Sequence, residues 1–367
     1  MRLEALLKIT LIAFSICTQA IYSQTKPDSN KSEFISQALS EIVNNGKAPG
    51  MIAAIISGEG VEAIASSGER KAGSGIAFTT DDIVHLGSCG KAMTSAMIAT
   101  LVEEGKLHWE TKLLEVIPEL KGIIHPDYYN TTLWQLLTHR AGFPDLWTHN
   151  KKETKERRLE ILKKQLKRSA AYTPGEFHYS NLGYIAAACM AKKITDLNWE
   201  TLMAERLFEP LGMSSAGFGI PSKLNQINQP WGHSKTGNGW HPVQSDCAEA
   251  LGPAGRIHCS IEDWAKFISL QLTNNNPILD SISINKLIEP PSGFYAGGWG
   301  VAEHEWAKGK MLSHCGSNGI WFSSVVVAPN LNRAYVVVTN SRDFGVTKDL
   351  CTEMTNKIII IDLETNK

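Results

Sequence analysis

The chain has 367 residues, 36 Lys+Arg against 37 Asp+Glu, a formal net charge of -1 and 43% hydrophobic residues. This globular balance excludes a disordered chain, and the 30 Gly and 15 Pro follow no collagen-like period. Near-zero charge argues against a nucleic-acid partner, and the length allows one large domain or two smaller ones.

Residues 1–23 read as a signal peptide. Arg2 and Lys8 flank Glu4, Ile9 to Cys17 is mostly apolar, and Thr18, Gln19, Ala20 and Ser23 supply small or polar positions for cleavage after Ala20 or Ser23. The apolar run is shorter than the ~20 residues a membrane-spanning helix needs. No later segment is apolar enough to span a bilayer. The expectation is an exported protein without a membrane span in its mature form, placed in a bacterial periplasm. Residues 24–31 read as a polar tether and 32–367 as one domain.

Along that domain, Ile35, Leu39, Ile42 and Val43 share one face of a helix over 32–45. Met51 to Ile56 and Val61 to Ala65 flank Gly58-Glu59-Gly60 as a hairpin. Ala92 to Leu107 favours helix. Residues 131–270 alternate helical patterns with Pro- and Gly-marked turns. Strand patterns return at Trp299–His304, Met311–His314, Trp321–Ala328 and Ala334–Thr339, and 346–362 closes as a helix. Strands at both ends and helices between predict an α/β (α+β) fold. One antiparallel sheet is built from both chain ends, flanked by helices, with a helical region inserted. Between Lys151 and Arg168, nine Lys/Arg and three Glu surround a narrow stripe of Leu159, Leu162 and Leu166, which reads as a solvated helix face.

Cys89, Cys189, Cys247, Cys259, Cys315 and Cys351 follow the leader. In an oxidising compartment some could pair, but six do not make a disulfide scaffold and sequence does not specify connectivity. There is no C-x-x-C, and the eleven His form no H-x-H or H-x-x-x-H pair, so neither a metal site nor a cofactor is expected.

Three short motifs carry chemistry. Ser88-Cys89-Gly90-Lys91 is an S-x-x-K. At the start of a helix, residues three apart share a face, so the Lys91 amine can take the Ser88 proton while the helix N-terminus favours developing negative charge. Tyr179-Ser180-Asn181 offers a phenol that can relay protons and a carboxamide that can hold a substrate amide or Lys91. His314-Cys315-Gly316, followed by Ser317, lies between two strand patterns, where an edge strand can line a cleft. Each motif has decoys: Ser283 with Lys286, Tyr128-Tyr129-Asn130, His85-Leu86-Gly87 and Lys235-Thr236-Gly237. The last runs into the turn signature Asn238-Gly239 with no apolar strand attached. No G-x-S-x-G elbow, P-loop or G-x-G-x-x-G is present.

This order of motifs resembles that of serine β-lactamases and penicillin-recognising peptidases, closest to the class C β-lactamase-related branch with its D-aminopeptidase, D-Ala carboxypeptidase and esterase relatives. The likeness extends over Leu136-Leu137-Thr138-His139, Tyr172-Thr173-Pro174-Gly175, Glu209-Pro210-Leu211-Gly212-Met213, Glu262-Asp263-Trp264 and Gly298-Trp299-Gly300. It implies a β-lactamase/transpeptidase-like fold and an exported serine hydrolase. The substrate would be a small molecule or a peptidoglycan-derived compound: a β-lactam, a D-amino-acid peptide or an ester. Carried over by position, Ser88 is the acylated nucleophile, Lys91 and Tyr179 share acid/base work, and Asn181 orients substrate. The backbone N–H groups of Ser88 and Ser317 form the oxyanion hole, with Cys315 and Gly316 on the substrate-binding strand. His314 aids electrostatics or relays protons where many relatives have Lys, which weakens the case for a dedicated β-lactamase. Cys315 stands where Thr or Ser is usual, and its pairing with Cys89 stays open. The competing reading is a non-hydrolytic penicillin- or cell-wall-binding protein or sensor with the same fold.

Overall fold

A computed structural model describes residues 27–365 apart from 238, 274, 275 and 344. The leader read at 1–23 lies outside the described residues. Asp28 starts the first helix, α1 (Ser29–Asn44), because its carboxylate accepts from the Asn30 and Lys31 N–H groups, which have no intrahelical partner. This corrects the tether reading: residues 29–31 are helical. Lys31 is buried by a 2.6 Å ion pair to Asp362, a partner 331 positions away that local composition does not reveal.

β1 (Gly50–Ser57) and β2 (Gly60–Gly68) form the expected hairpin. The helical region contains α2 (Gly90–Glu103) and α3 (Asn181–Thr195). The chain then returns through β3 (Gly300–His304), β4 (Gly309–Ser317), β5 (Phe322–Ala328) and β6 (Arg333–Thr339), and closes with α4 (Val346–Thr365). The six strands form one antiparallel sheet in the order β2-β1-β6-β5-β4-β3. Its seam joins the two chain ends, from Met51 opposite Thr339 to Ile56 opposite Ala334. Two small sheets lie in the helical region and beside it: Val84–His85, Ile257–Cys259 and Gly217–Phe218 in one, and the hairpin Gly232–Thr236 with Gly239–Val243 in the other.

Successive side chains on a strand point to opposite faces. Ile52, Ala54, Ile56, Val336 and Val338 therefore pack on the helical region, while Met51, Ala53, Ile55, Tyr335 and Val337 pack on α1 and α4. Covered on both faces, β1 is buried at every position. Each large aliphatic side chain so buried contributes roughly 1.5–3 kcal/mol. Leu39→Ala would open a cavity beneath the sheet at a cost of about 2–5 kcal/mol.

α2 runs through the middle of the helical region, with 11 of its 14 residues buried. Met93, Met97 and Leu101 are thus part of a helix enclosed on nearly every side. It stops at Glu103, short of Leu107, and Gly105 takes φ 68° where the chain turns away. In the basic stretch, Ile161, Leu162 and Leu166 face the core, and Arg158 is drawn inside by two bonds of 2.7 and 3.2 Å to Glu200.

Candidate active site

Ser88 lies where the sheet meets the helical region, in the 3-10 turn Gly87–Cys89 that feeds α2. Gly87 has φ 52°, a left-handed conformation that favours glycine, and a methyl there would strike the backbone nitrogen of Ser317. A methyl on Gly316 would lie 2.7 Å from Ser88 N and would also strike Leu86 O. The two glycines thus let the Ser88 turn rest directly on the end of β4. β3 pairs with β4 only as far as Ser313, so His314–Ser317 continue past it along the cleft.

At the second residue of α2, one turn after Ser88, Lys91 is completely buried. Its Nζ donates to Ser88 Oγ at 3.0 Å, Asn181 Oδ1 at 2.8 Å and Ala254 O at 2.6 Å. None of these acceptors is a carboxylate. Burial pulls the ammonium down to about 7, against the opposing pull of Asp145. The Tyr179 hydroxyl donates to Ser88 Oγ at 2.8 Å, and burial pushes that phenol well above its ordinary value. Near neutrality the phenol keeps its proton, and the amine is the group that changes charge.

Asn181 is oriented without ambiguity. Its Nδ2 donates to Asp145 Oδ1 at 3.2 Å and Leu146 O at 3.1 Å, which turns Oδ1 toward Lys91. Asp145 also accepts from Asn181 N at 3.2 Å, placing a carboxylate at the positive end of α3.

His314 has a narrower place than the resemblance implied. Its Nδ1 donates to Cys315 O at 2.8 Å, and its Nε2 accepts from the Tyr295 hydroxyl at 3.0 Å. Burial and the Lys91 charge pull it down to about 3. Its ring centroid is 6.5 Å from that of Tyr179. It is a neutral wall of the cleft with both nitrogens engaged.

Cys315 needs a second correction. Leu312 packs on the helical side of the sheet, so His314 faces the cleft and Cys315 faces away. Cys315 is opposite Ser324, which shares its face with Phe322 on the α1/α4 side, and its thiol is 3.9 Å from Ser324 Oγ. The Cys315 thiol is therefore no cleft-facing ligand for substrate, and alternation along the strand is the reason. Cys89 points the other way, 3.4 Å from Ser323 Oγ, and the six cysteines among the described residues are free thiols. The Ser317 hydroxyl donates to Trp321 O at 2.6 Å within the β4–β5 turn, so Ser317 meets the cleft through its backbone.

The decoys separate. Lys286 lies 4.6 Å above the Trp134 ring, Tyr128 donates to Ser169 O, and Lys235 pairs with Asp343 at 3.1 Å in the small hairpin. His85 is different: Nδ1 accepts from Gly87 N at 3.1 Å, directly behind the Ser88 turn. In the sequence it ranks below His314, whose triplet lies between two strand patterns. Sequence reasoning missed Tyr295. The buried Arg140 fixes that residue's loop by donating to Tyr295 O at 3.3 Å and to the Ser292 carbonyl. His139, in the Leu136–His139 segment, takes φ 59°, and its ring lies tilted with its centroid 4.3 Å from that of Tyr179.

The family model "Beta-lactamase" matches residues 35–352. The chain belongs to the β-lactamase family. It is 23% identical to "Penicillin-binding protein 4" of Amycolatopsis lactamdurans over 80% of this chain and 81% of that one. It is 24% identical to "Protein flp" of Staphylococcus aureus over 72% of its own length, and spans about half (54%) of that relative. The solved D-amino acid amidase of Ochrobactrum anthropi SV3 superposes with a TM-score of 0.76 at 19% identity, covering 92% of this chain and 99% of the amidase.

Proposed function

We propose that this protein is an exported serine hydrolase that cleaves an amide or ester through an acyl-enzyme on Ser88. The observation that carries this is the Ser88 Oγ held at 3.0 Å by a buried amine without a carboxylate partner and at 2.8 Å by a phenol that keeps its proton. Neutral Lys91 takes the hydroxyl proton as Oγ attacks the carbonyl carbon. The oxyanion forms against the N–H groups of Ser88 and Ser317. Tyr179 then gives its proton to the departing nitrogen or oxygen, and the Lys91 ammonium returns its proton to the Tyr179 phenolate, so both groups regain their starting states. Water repeats the sequence on the acyl-enzyme, regenerating Ser88 and releasing the acid.

The neutral His314 favours substrates without a carboxylate at that position, so amides and esters rank ahead of β-lactams. An aromatic run from Tyr179 through His139 and Phe177 to the exposed Phe294, with centroid spacings of 4.3, 6.0 and 4.9 Å, supports an apolar group on the substrate. The amidase likeness agrees with this ranking.

Intact-mass spectrometry and colour release with p-nitrophenyl acetate, D-phenylalanine p-nitroanilide and a chromogenic cephalosporin test the reading. The expected result is turnover of the first two with an acyl adduct on Ser88 that Ser88→Ala abolishes. Absence of both adduct and turnover across the panel would reject the hydrolase in favour of a binder. A lasting cephalosporin adduct without turnover would instead mark a penicillin-trapping peptidase. N-terminal sequencing of the protein recovered from a periplasmic extract tests export, with cleavage near Ala20 or Ser23 expected.

A further inference from the structure

Asp246 is 2% exposed. Its Oδ2 accepts from His85 Nε2 at 3.1 Å and Arg256 Nε at 3.1 Å. Its Oδ1 accepts from Asn318 Nδ2 at 3.1 Å and Cys247 N at 2.8 Å. Three of these four donors lead straight to the catalytic backbone. His85 Nδ1 accepts from Gly87 N, the residue before Ser88, and that bond leaves Nε2 as the donor to Asp246. Asn318 follows Ser317, and its Oδ1 accepts from Ile320 N at 3.2 Å and Trp321 N at 3.0 Å, closing the turn beyond β4. Arg256 follows Ala254 by two residues, and the Ala254 carbonyl holds Lys91 Nζ.

We propose that Asp246 is a positioning residue that sets the oxyanion hole, tying the Ser88 turn, the Ser317 end of β4 and the Ala254 cradle of Lys91 to one buried carboxylate. The inference rests on the acyl-enzyme reading above. A carboxylate with four donors in fixed directions is a rigid node, because charge-assisted bonds are shorter and stronger than neutral ones. Burial pushes its carboxyl up, but His85 and Arg256 outweigh this and hold it below the usual carboxylate range. The two oxyanion donors come from opposite ends of the chain. Their relative placement has to be set by contacts between segments, and catalysis is sensitive to misplacement at the ångström scale.

Asp246→Asn is nearly isosteric but replaces one acceptor oxygen by a donor. With p-nitrophenyl acetate, burst amplitude counts the competent sites, and steady-state rates separate kcat from KM. Phenylboronic acid, which adds to the serine and puts an oxygen where the oxyanion would sit, reads the hole directly. The expected result is a full burst amplitude, KM within about threefold, kcat lower by roughly 30- to 100-fold, and boronic-acid inhibition weakened in parallel. A reduced burst amplitude with unchanged kcat per active site would show a merely structural role and overturn the proposal. So would unchanged kcat and boronic-acid affinity. If Asp246→Asn does not fold, Asn318→Ala removes the β4 tether together with the turn bonds from Ile320 N and Trp321 N, and a kcat loss of roughly 10-fold at constant KM is expected; no loss overturns the proposal. A wild-type protein that shows neither burst nor boronic-acid binding would mean that the acyl-enzyme reading has failed and the positioning role with it. An active wild type with an equally active Asp246→Asn overturns the positioning role alone.

Discussion

Lys31 and Lys91 are both buried, one on each side of the sheet, and they are built to opposite ends. Lys31 meets Asp362 at 2.6 Å, and the same carboxylate accepts from Arg333 Nε at 3.2 Å and the Tyr335 hydroxyl at 2.9 Å. This cluster binds α1 to α4 and β6. Lys91 meets a carbonyl, an amide oxygen and a hydroxyl, and burial draws it down to about 7. Taking a cation out of water is costly, and a carboxylate offsets that cost while neutral oxygens offset only part of it. The same residue type is a strut where charge meets charge and a titratable base where it does not.

Substituting the base breaks the comparison hardest. Lys91→Met should lower the acylation rate roughly 10³-fold in a stopped-flow burst. Its thermal midpoint near neutral pH should stay level or rise, because an uncompensated buried cation is gone. Between about pH 7 and the ordinary lysine range the unfolded wild-type chain binds more protons at Lys91 than the folded chain does. Wild-type stability from this group therefore rises with pH across that window, and the variant lacks that slope. A burst rate equal to wild type would remove Lys91 from the mechanism.

Tyr179→Phe should cost roughly 10²-fold in kcat at constant KM, because only proton donation to the leaving group is lost; a change confined to KM would contradict that role. For the wild type, acylation should fall about 30-fold between about pH 8 and about pH 5.5 as Lys91 gains its proton, and a flat profile would dispose of the neutral-amine base.

Lys31→Met should retain that pH profile and lose about 2 kcal/mol in denaturant unfolding. This is below the cost of stranding a buried charge completely, because Arg333 and Tyr335 stay on Asp362. Cys315→Ser should change kcat/KM by less than about twofold, since alternation turns its side chain from the cleft; a larger change would place the thiol in substrate contact.

Much of the architecture was legible locally. The β1–β2 hairpin, the four C-terminal strands and the closing helix announce themselves by apolar patterning between turn residues, and the boundaries move by only a few positions. The start of α1 was not legible, because Lys31 is polar in sequence and buried in the fold by a partner at the far end. In the site, the spacing of Ser88 and Lys91 at a helix start, and the order in which Tyr179, Asn181 and His314 follow them, were legible in the sequence. Tyr295, Arg140, His85 and Asp246 did not, because each acts through a contact between distant segments.

The sequence by itself singled out the candidate side chains: a hydroxyl and an amine three positions apart at a helix start, a phenol and an amide two apart, and a strand pattern running to Gly316. Those are local facts, governed by helical and strand periodicity. Tertiary structure alone decided what state these groups are in and which way they face. It buried Lys91 without a carboxylate, engaged both nitrogens of His314, and turned Cys315 to the far side of the sheet. It also brought Gly87 against Gly316 and tied their segments through His85 and Asn318 to the buried Asp246. Desolvation, charge pairing and close approach depend on what surrounds a residue in space, and those surroundings come from parts of the chain far away in sequence.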